Sequence, residues 1–118
     1  MRIELENRLV ELSLNINEIC KYLDKSYLAH HITTQVIRSS TSAALNYGEA
    51  QAAESKKDFI HKVSVVLKEL RETKVSLKLL RNSIKSDMRL VLNNCQKECD
   101  QLIAIFHKTV ISAKAKLS

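Results

Sequence analysis

The feature that most constrains the fold of this 118-residue chain is the near absence of residues that interrupt helices. The chain contains no proline and a single glycine, Gly48. Proline removes a backbone donor and clashes with the preceding turn, and glycine costs a helix about 1 kcal/mol relative to alanine. A chain with so little of either is predicted to form long, uninterrupted helices. Its length is that of one domain, so residues 1–118 are predicted to fold as a single unit.

Apolar residues recur at alternating spacings of three and four, which is typical of helices packed at shallow angles in a bundle. The first predicted helix carries Leu5, Leu9, Leu12, Ile16, Ile19 and Leu23. The third carries Phe59, Val63, Val66, Leu70, Leu77, Leu80 and Ile84, with Thr73 in the one polar position. The fourth carries Met88, Leu92, Cys95, Cys99, Leu102, Phe106, Val110 and Ala113. Each of these series is called an apolar seam below.

Short polar segments separate the seams. Lys21 to Ser26 separates the first two helices, and the second helix is predicted from Tyr27 to about Ala53. The remaining boundaries are a capping box at Ser55–Asp58, a helix end at Asn82–Ser83 and a cap for the fourth helix at Ser86–Asp87. Because all three connections are short, consecutive helices should run antiparallel. The predicted fold is an all-α, up-down-up-down antiparallel four-helix bundle.

The second helix combines an apolar face with a polar stripe. Its predicted core face is Ile32, Val36, Ser39, Ala43, Tyr47 and Ala50. Its polar stripe is Gln35, Arg38, Ser42, Asn46 and Glu49, which share an arc of about 80°. Arg38 and Glu49 are about 16 Å apart along the helix, so each needs a partner from another helix or subunit. The stripe predicts a polar network that specifies the bundle or its interface. A ligand or catalytic site at the same residues is the alternative.

Charge is distributed unevenly along the chain. Residues 1–54 carry a net charge of −2, whereas residues 55–118 carry fourteen Lys or Arg against six Asp or Glu, a net charge of +8. One flank of the third helix is basic within about 120°. The candidate nucleic-acid-binding residues are Lys57, Lys68, Arg71, Lys74 and Lys78, with Arg81, Lys85 and Arg89 beyond them. Such a flank can neutralise phosphates. Because Ile60 and Leu67 fall among these cations, the flank could equally border a subunit interface or be a solvated face.

Enzyme signatures are absent from the sequence. It has no Gly-rich phosphate loop, nucleophile elbow or His-Glu-x-x-His pair. Neither Glu69 nor Glu72 is followed three residues later by a histidine, as the Glu-x-x-His pattern of di-iron bundles requires. Cys95 and Cys99 share a helical face but lack further ligands for zinc, so they and Cys20 are predicted to be core thiols. We therefore expect a non-enzymatic protein without a metal or cofactor. The first residues do not resemble a signal peptide and no apolar run could span a bilayer, so a cytoplasmic location without membrane association is expected.

Three runs within residues 32–80 form a recognisable pattern. They are Arg38 to Ala50, which ends in Asn-Tyr-Gly-Glu-Ala, Glu-Ser-Lys-Lys-Asp-Phe-Ile (Glu54 to Ile60), and Leu-Lys-Glu-Leu-Arg-Glu-Thr (Leu67 to Thr73). Through these runs, residues 32–80 resemble the bacterial 23S rRNA intervening-sequence proteins. The first and fourth helices match in pattern only. The resemblance implies a cytoplasmic four-helix bundle that assembles into a ring-like homopentamer. Some members are encoded inside intervening sequences of 23S rRNA genes, and a related accessory protein of diversity-generating retroelements binds nucleic acid and a reverse transcriptase.

Two functional hypotheses follow from the sequence. The first is an oligomeric protein that binds structured RNA or DNA through the basic residues of the third and fourth helices. The second is an oligomeric adaptor for a protein partner, such as a reverse transcriptase, without a direct nucleic-acid role. Self-assembly is expected in both, because Ile37, Ala44 and Leu45 lie away from the core face of the second helix and require cover.

Overall fold

Four long α-helices make up most of the molecule. The computed structural model describes residues 2–117, so Met1 and Ser118, the ends of the predicted domain, lie outside the described residues. The helices are α1 (Arg2–Cys20), α2 (Tyr27–Gln51), α3 (Lys56–Leu80) and α4 (Arg89–Leu117). Consecutive helices pack side by side in an elongated bundle of 48 × 23 × 19 Å. The predicted all-α, up-down-up-down four-helix bundle is confirmed.

The predicted core face of α2 is confirmed. Ile32, Val36, Ser39, Ala43, Tyr47 and Ala50 are all buried. Three of these residues are serine or alanine, and small side chains allow neighbouring backbones to approach closely. Accordingly, the contact between α2 and α3 is the most extensive in the bundle. The helix itself ends at Gln51, two residues before the predicted end at Ala53.

The polar position in the α3 seam is satisfied by a buried hydroxyl pair. The side-chain oxygens of Ser39 and Thr73 lie 2.7 Å apart, and both residues are fully buried. The Thr73 hydroxyl also lies 2.8 Å from the carbonyl oxygen of Glu69, to which it can donate. A buried hydroxyl without a partner is costly, so this pair favours one register of α2 against α3. The sequence already placed one hydroxyl residue, Thr73, in the α3 seam and another, Ser39, on the core face of α2. The structure shows that these two hydroxyls meet.

The predicted core thiols are confirmed. Cys95 and Cys99 are buried and Cys20 is half-buried, and all three are free. Burial raises the pKa of Cys95 to about 11 and that of Cys99 to about 12. Burial also raises the pKa of Cys20, although a hydrogen bond with Thr33 partly opposes this effect. These thiols therefore remain protonated at neutral pH and behave as small apolar groups.

Serine caps begin α2 and α3. Ser26 Oγ accepts a hydrogen bond from the N–H of Ala29 at 3.1 Å, and Ser55 Oγ accepts one from the N–H of Asp58 at 3.0 Å. The reciprocal hydrogen bond of the predicted capping box, from the N–H of Ser55 to the Asp58 carboxylate, is replaced by a different one. The Asp58 carboxylate accepts from the N–H of Glu54 at 3.4 Å, one residue before the cap. The carboxylate thus also holds the turn between α2 and α3.

The connections at the opposite end of the bundle pair with each other. Leu23 and Ile84, predicted at the ends of helical seams, lie outside the helices and form an isolated antiparallel bridge. Beside it, the N–H of Asp24 donates to the carbonyl oxygen of Ser83 at 2.8 Å. The helical assignment of both apolar residues was therefore wrong. The prediction that both residues contribute to the apolar core is confirmed, because Ile84 is buried and Leu23 packs against the same cluster.

Two 3₁₀ turns join α3 to α4. The first spans Arg81–Ser83, so the helical path ends at the predicted Asn82–Ser83 although α3 itself stops at Leu80. The second spans Ser86–Met88, and no side-chain hydrogen bond caps its start. The predicted cap of α4 at Ser86–Asp87 was therefore wrong. Those residues form the turn that leads into the helix.

Candidate nucleic-acid interface

Arg38 of the α2 polar stripe reaches across to α3. Its guanidinium donates to the Glu69 carboxylate at 2.8 Å and to that of Glu72 through its second terminal nitrogen. These hydrogen bonds raise the pKa of Arg38, Glu69 contributing more than Glu72. The Glu69 side chain is only 8% exposed, whereas that of Arg38 is 47% exposed. The cation thus covers a carboxylate that the bundle almost removes from water.

The rest of the stripe divides into one further interhelical contact and one local contact. Glu49 accepts from Lys62 of α3 at 2.8 Å. Asn46, in contrast, donates to the Ser42 carbonyl oxygen at 2.9 Å and lies 3.1 Å from its hydroxyl, one turn earlier in α2. Gln35 is half-buried. The stripe therefore connects α2 to α3 at its two charged residues, while Ser42 and Asn46 hydrogen-bond within their own helix.

Two of the eight candidate nucleic-acid-binding residues contact α4. Lys74 pairs with Asp100 at 2.7 Å. Arg81 donates to the side-chain oxygens of Asn93 and Gln96, both at 2.9 Å. Asp100 compensates the charge of Lys74, whereas the partners of Arg81 are neutral and leave its charge uncompensated.

The other six candidates are exposed cations. They are Lys57, Lys68, Arg71, Lys78, Lys85 and Arg89. Within residues 2–117, none of these six forms a salt bridge. Lys57 and Lys78 are separated by about 32 Å along α3. The structure therefore presents an open row of positive charge along the side of α3 that turns toward α4.

α4 extends this row with residues that the sequence reasoning did not select. Asn93 and Asp100 both contact α3, and they are seven residues apart. Two further steps of seven reach His107 and Lys114, which are exposed on the same side of α4. The seven-residue spacing that places these four residues on one side of α4 is visible in the sequence. It could not be assigned to the side facing α3 until the structure showed that Asn93 and Asp100 contact that helix.

Two apolar residues predicted among the basic residues do not remain at the surface. Ile60 and Leu67 are buried within the single chain, at 9% and 7% exposure. They therefore do not provide the apolar surface of a subunit interface. Of the three residues that motivated self-assembly, Ile37 and Ala44 pack against the core and only Leu45, 68% exposed, remains largely uncovered.

Isolated apolar side chains are exposed on all four helices. Val10 and Leu14 lie on α1 and Leu45 on α2, while Val75 and Leu79 lie on α3 and Leu90 and Ile111 on α4. On the α4 side of α1, Arg8 makes two hydrogen bonds with the Glu98 carboxylate, at 2.9 and 2.7 Å. Exposed apolar side chains therefore occur on α1 and α2 and also on the two helices that carry the basic row.

Neither a metal centre nor a membrane span is found in the part of the chain that the structure describes. Across residues 2–117, no three His, Cys, Asp or Glu side chains are grouped so that they could share a metal ion. Among the same residues, no helix combines the length and apolar character needed to cross a membrane.

Comparisons with known proteins extend the resemblance beyond the central helices. The sequence model of the family described as 23S rRNA-intervening sequence protein matches residues 2–108, from α1 well into α4. A crystal structure of a protein of unknown function from the S23 ribosomal protein family of Bacteroides thetaiotaomicron is similar, with a TM-score of 0.75 and 25% sequence identity. The match covers 90% of this chain and 97% of that one. No curated protein matches the chain.

Proposed function

This chain belongs to the 23S rRNA-intervening sequence protein family, and from that premise we propose that it is a non-catalytic, oligomeric protein that binds structured RNA or DNA through α3 and α4. The observation that carries the proposal is the row of exposed cations without carboxylate partners among the described residues. Phosphates are the natural partners of such a row, because each Lys or Arg contact releases a condensed counterion.

The geometry favours a duplex or folded nucleic acid over a flexible single strand. The distance of about 32 Å from Lys57 to Lys78 is close to one helical turn of a duplex. Single-strand binding usually adds aromatic side chains on which bases stack. Of the five aromatic residues in this chain, Tyr47 and Phe106 are buried and Phe59 is half-buried. The two exposed ones, Tyr22 and Tyr27, lie at the connection between α1 and α2 and not on α3 or α4. Recognition is therefore expected to depend on backbone charge and shape, with little sequence preference.

Self-assembly belongs to the same proposal. The family resemblance implies a homopentamer, and the exposed Val10, Leu14 and Leu45 supply apolar surface away from the basic row. Contact through α1 and α2 would leave α3 and α4 open to solvent. Several copies would then present several cationic rows to one nucleic acid, which raises the apparent affinity without new contacts. Sedimentation at micromolar concentration that shows only a monomer would contradict this part of the proposal.

The binding test compares a charge reversal on the basic row with one elsewhere. Lys68→Glu with Arg71→Glu should weaken binding to a labelled RNA hairpin and to duplex DNA alike. The slope of log affinity against log salt should fall by about one for each lost contact. Lys21→Glu with Lys25→Glu makes the same change in net charge between α1 and α2 and should have little effect. Fluorescence anisotropy at about 0.15 M salt is the measurement. No detectable binding of the wild-type protein there would overturn the proposal.

A protein adaptor is the second candidate, and the exposed apolar residues favour it. Leu14 is 55% exposed and Leu45 is 68% exposed. If nucleic-acid binding is absent but Leu14→Asp with Leu45→Asp abolishes association with a co-purified protein, the adaptor function is favoured. If the same pair only dissociates the oligomer, these residues serve self-assembly.

A further inference from the structure

A cavity of about 820 Å³ lies at the end of the bundle where α2 turns into α3. Its floor contains Tyr47 and Phe106, whose rings meet edge to face with centroids 5.2 Å apart. Leu5, Phe59 and Ala113 contribute further apolar surface. Small-molecule sites in proteins typically enclose about 300–1,000 Å³ and are mainly apolar. The cavity therefore has the size and lining of a ligand site.

The cavity lies where α4 extends further along the bundle than the described part of α1. Arg8 faces Glu98, and the two helices run antiparallel, so the first described residue of α1 lies level with about residue 104 of α4. α4 continues to Leu117. Over its last three turns, the side of α4 that α1 covers elsewhere has no helix beside it within the described residues. Ile105, Thr109 and Ser112 line the cavity from that side.

The rim of the cavity is positively charged. Lys56, Lys108 and Lys116 line it, against a single acidic residue, Glu54. Within residues 2–117, none of these lysines forms a salt bridge. Hydroxyl groups of Ser55 and Ser112 lie among them as potential hydrogen-bond donors, whereas the Thr109 hydroxyl already donates to the carbonyl oxygen of Ile105 at 2.9 Å. An apolar floor beneath a cationic rim complements a molecule with an apolar body and one anionic head.

We propose that this cavity binds a single-chain anionic amphiphile of the fatty-carboxylate class. The alkyl chain lies over the Tyr47 and Phe106 rings, and the carboxylate accepts hydrogen bonds from the lysines at the rim. This site differs from the basic row of α3, because none of Lys56, Lys108 and Lys116 belongs to that row, although Lys56 is next to Lys57 at its end. It does not depend on the proposed nucleic-acid function.

Calorimetric titration with dodecanoate, below its micelle concentration, tests the proposal directly. Dodecanoate should bind more tightly than octanoate, by up to about fourfold for each added methylene that is buried. Dodecyltrimethylammonium, with the same chain and a cationic head, should bind at least several-fold more weakly than dodecanoate. Equal affinity for the two head groups would overturn the proposal. So would association with anionic phospholipid vesicles together with no binding of free dodecanoate.

Paired variants on α4 distinguish binding in this cavity from nonspecific association of dodecanoate with the protein surface. Ala113→Phe fills the floor and should weaken dodecanoate binding at least tenfold, whereas Ala104→Phe, at an exposed position of the same helix, should not. Ser112→Phe occludes the cavity from an exposed position and provides the same test if Ala113→Phe fails to fold. Equal effects of the Ala104 and cavity variants would overturn the proposal.

The charge of the rim is tested with a second pair. Lys108→Gln with Lys116→Gln should weaken dodecanoate binding by up to about fivefold for each lysine. Lys97→Gln with Lys114→Gln removes the same charge from the same helix at positions outside the cavity. That control should leave the affinity unchanged, and an equal loss in both variants would contradict recognition of the anionic head at this rim.

Discussion

The α2–α3 interface is closed, whereas the α1–α4 interface is partly open, although both are built on the same three-and-four apolar spacing. Between α2 and α3, small residues at the interface allow close packing, and charged residues bridge the helices on the outside at Arg38 and at Glu49. Between α1 and α4 the contact is smaller, and a cavity of about 360 Å³ is lined by Glu11, Asn15 and Asn94. The same apolar pattern therefore does not determine how tightly two helices pack. Side-chain size and the position of each helix in the chain also contribute.

Chain order explains part of this difference. α2 and α3 are joined by a short turn, which keeps them together at low entropic cost. α1 and α4 are the first and last helices, so only side-chain contacts hold them. Arg8 and Glu98 provide such a contact, with both side chains about one-third exposed. A partly exposed pair of this kind contributes little to stability. We therefore expect stability to be concentrated around α3 and ligand access to be concentrated along α4.

The largest expected effect is from truncation in the centre of the bundle. Leu70→Ala should reduce the free energy of unfolding by about 2–5 kcal/mol, because Leu70 is fully buried and its removal leaves a void. Leu5→Ala is the matched change in α1, where the side chain is only partly buried beside the large cavity. It should cost about 1 kcal/mol. Urea denaturation measures both, and equal losses would show that the two regions are equally packed.

An intermediate effect is expected at the arginine pairs. Arg38→Met retains most of the alkyl stem but leaves the buried Glu69 carboxylate without its charged partner, which should cost about 1–2 kcal/mol. Arg8→Met exposes Glu98, which is already partly hydrated, and should cost less than about 1 kcal/mol. Thermal and urea unfolding compare them. If the Arg8 variant lost more stability, the α1–α4 interface would be the stronger one.

The smallest expected effect on the stability of the fold at neutral pH is that of thiol ionisation. Raised thiol pKa values mean that the folded state holds these protons more tightly than the unfolded chain, whose thiols ionise near 9.0. Their contribution to stability is therefore complete below about pH 9 and is lost as the pH rises toward 11–12. In the native protein, alkylation by iodoacetamide should increase about tenfold per pH unit between pH 7 and 9. Cys95, which lines the α1–α4 cavity, should react before Cys99. The reverse order would indicate that this interface is closed in solution.

Much of the fold and part of the candidate site could be predicted from the sequence, because the deciding signals are local. Apolar spacing and the lack of helix breakers specified the helices, and the spacing identified the buried face of α2, including Ser39 and Ala43. The concentration of positive charge on the third and fourth helices was equally visible. The family match over residues 2–108 confirms the recognition that rested on residues 32–80.

The tertiary structure alone decided the pairing of the charged side chains and the shape of the surface. Arg38 could have faced another subunit, and only the register of α2 against α3 places Glu69 and Glu72 within reach. The register of α3 against α4 placed Lys74 against Asp100 and removed one cation from the open row. Long charged side chains reach several neighbours, and core packing selects among them. The bundle-end cavity depends on how α1 and α4 are aligned along the bundle, which is a relation between helices distant in sequence that local spacing does not encode.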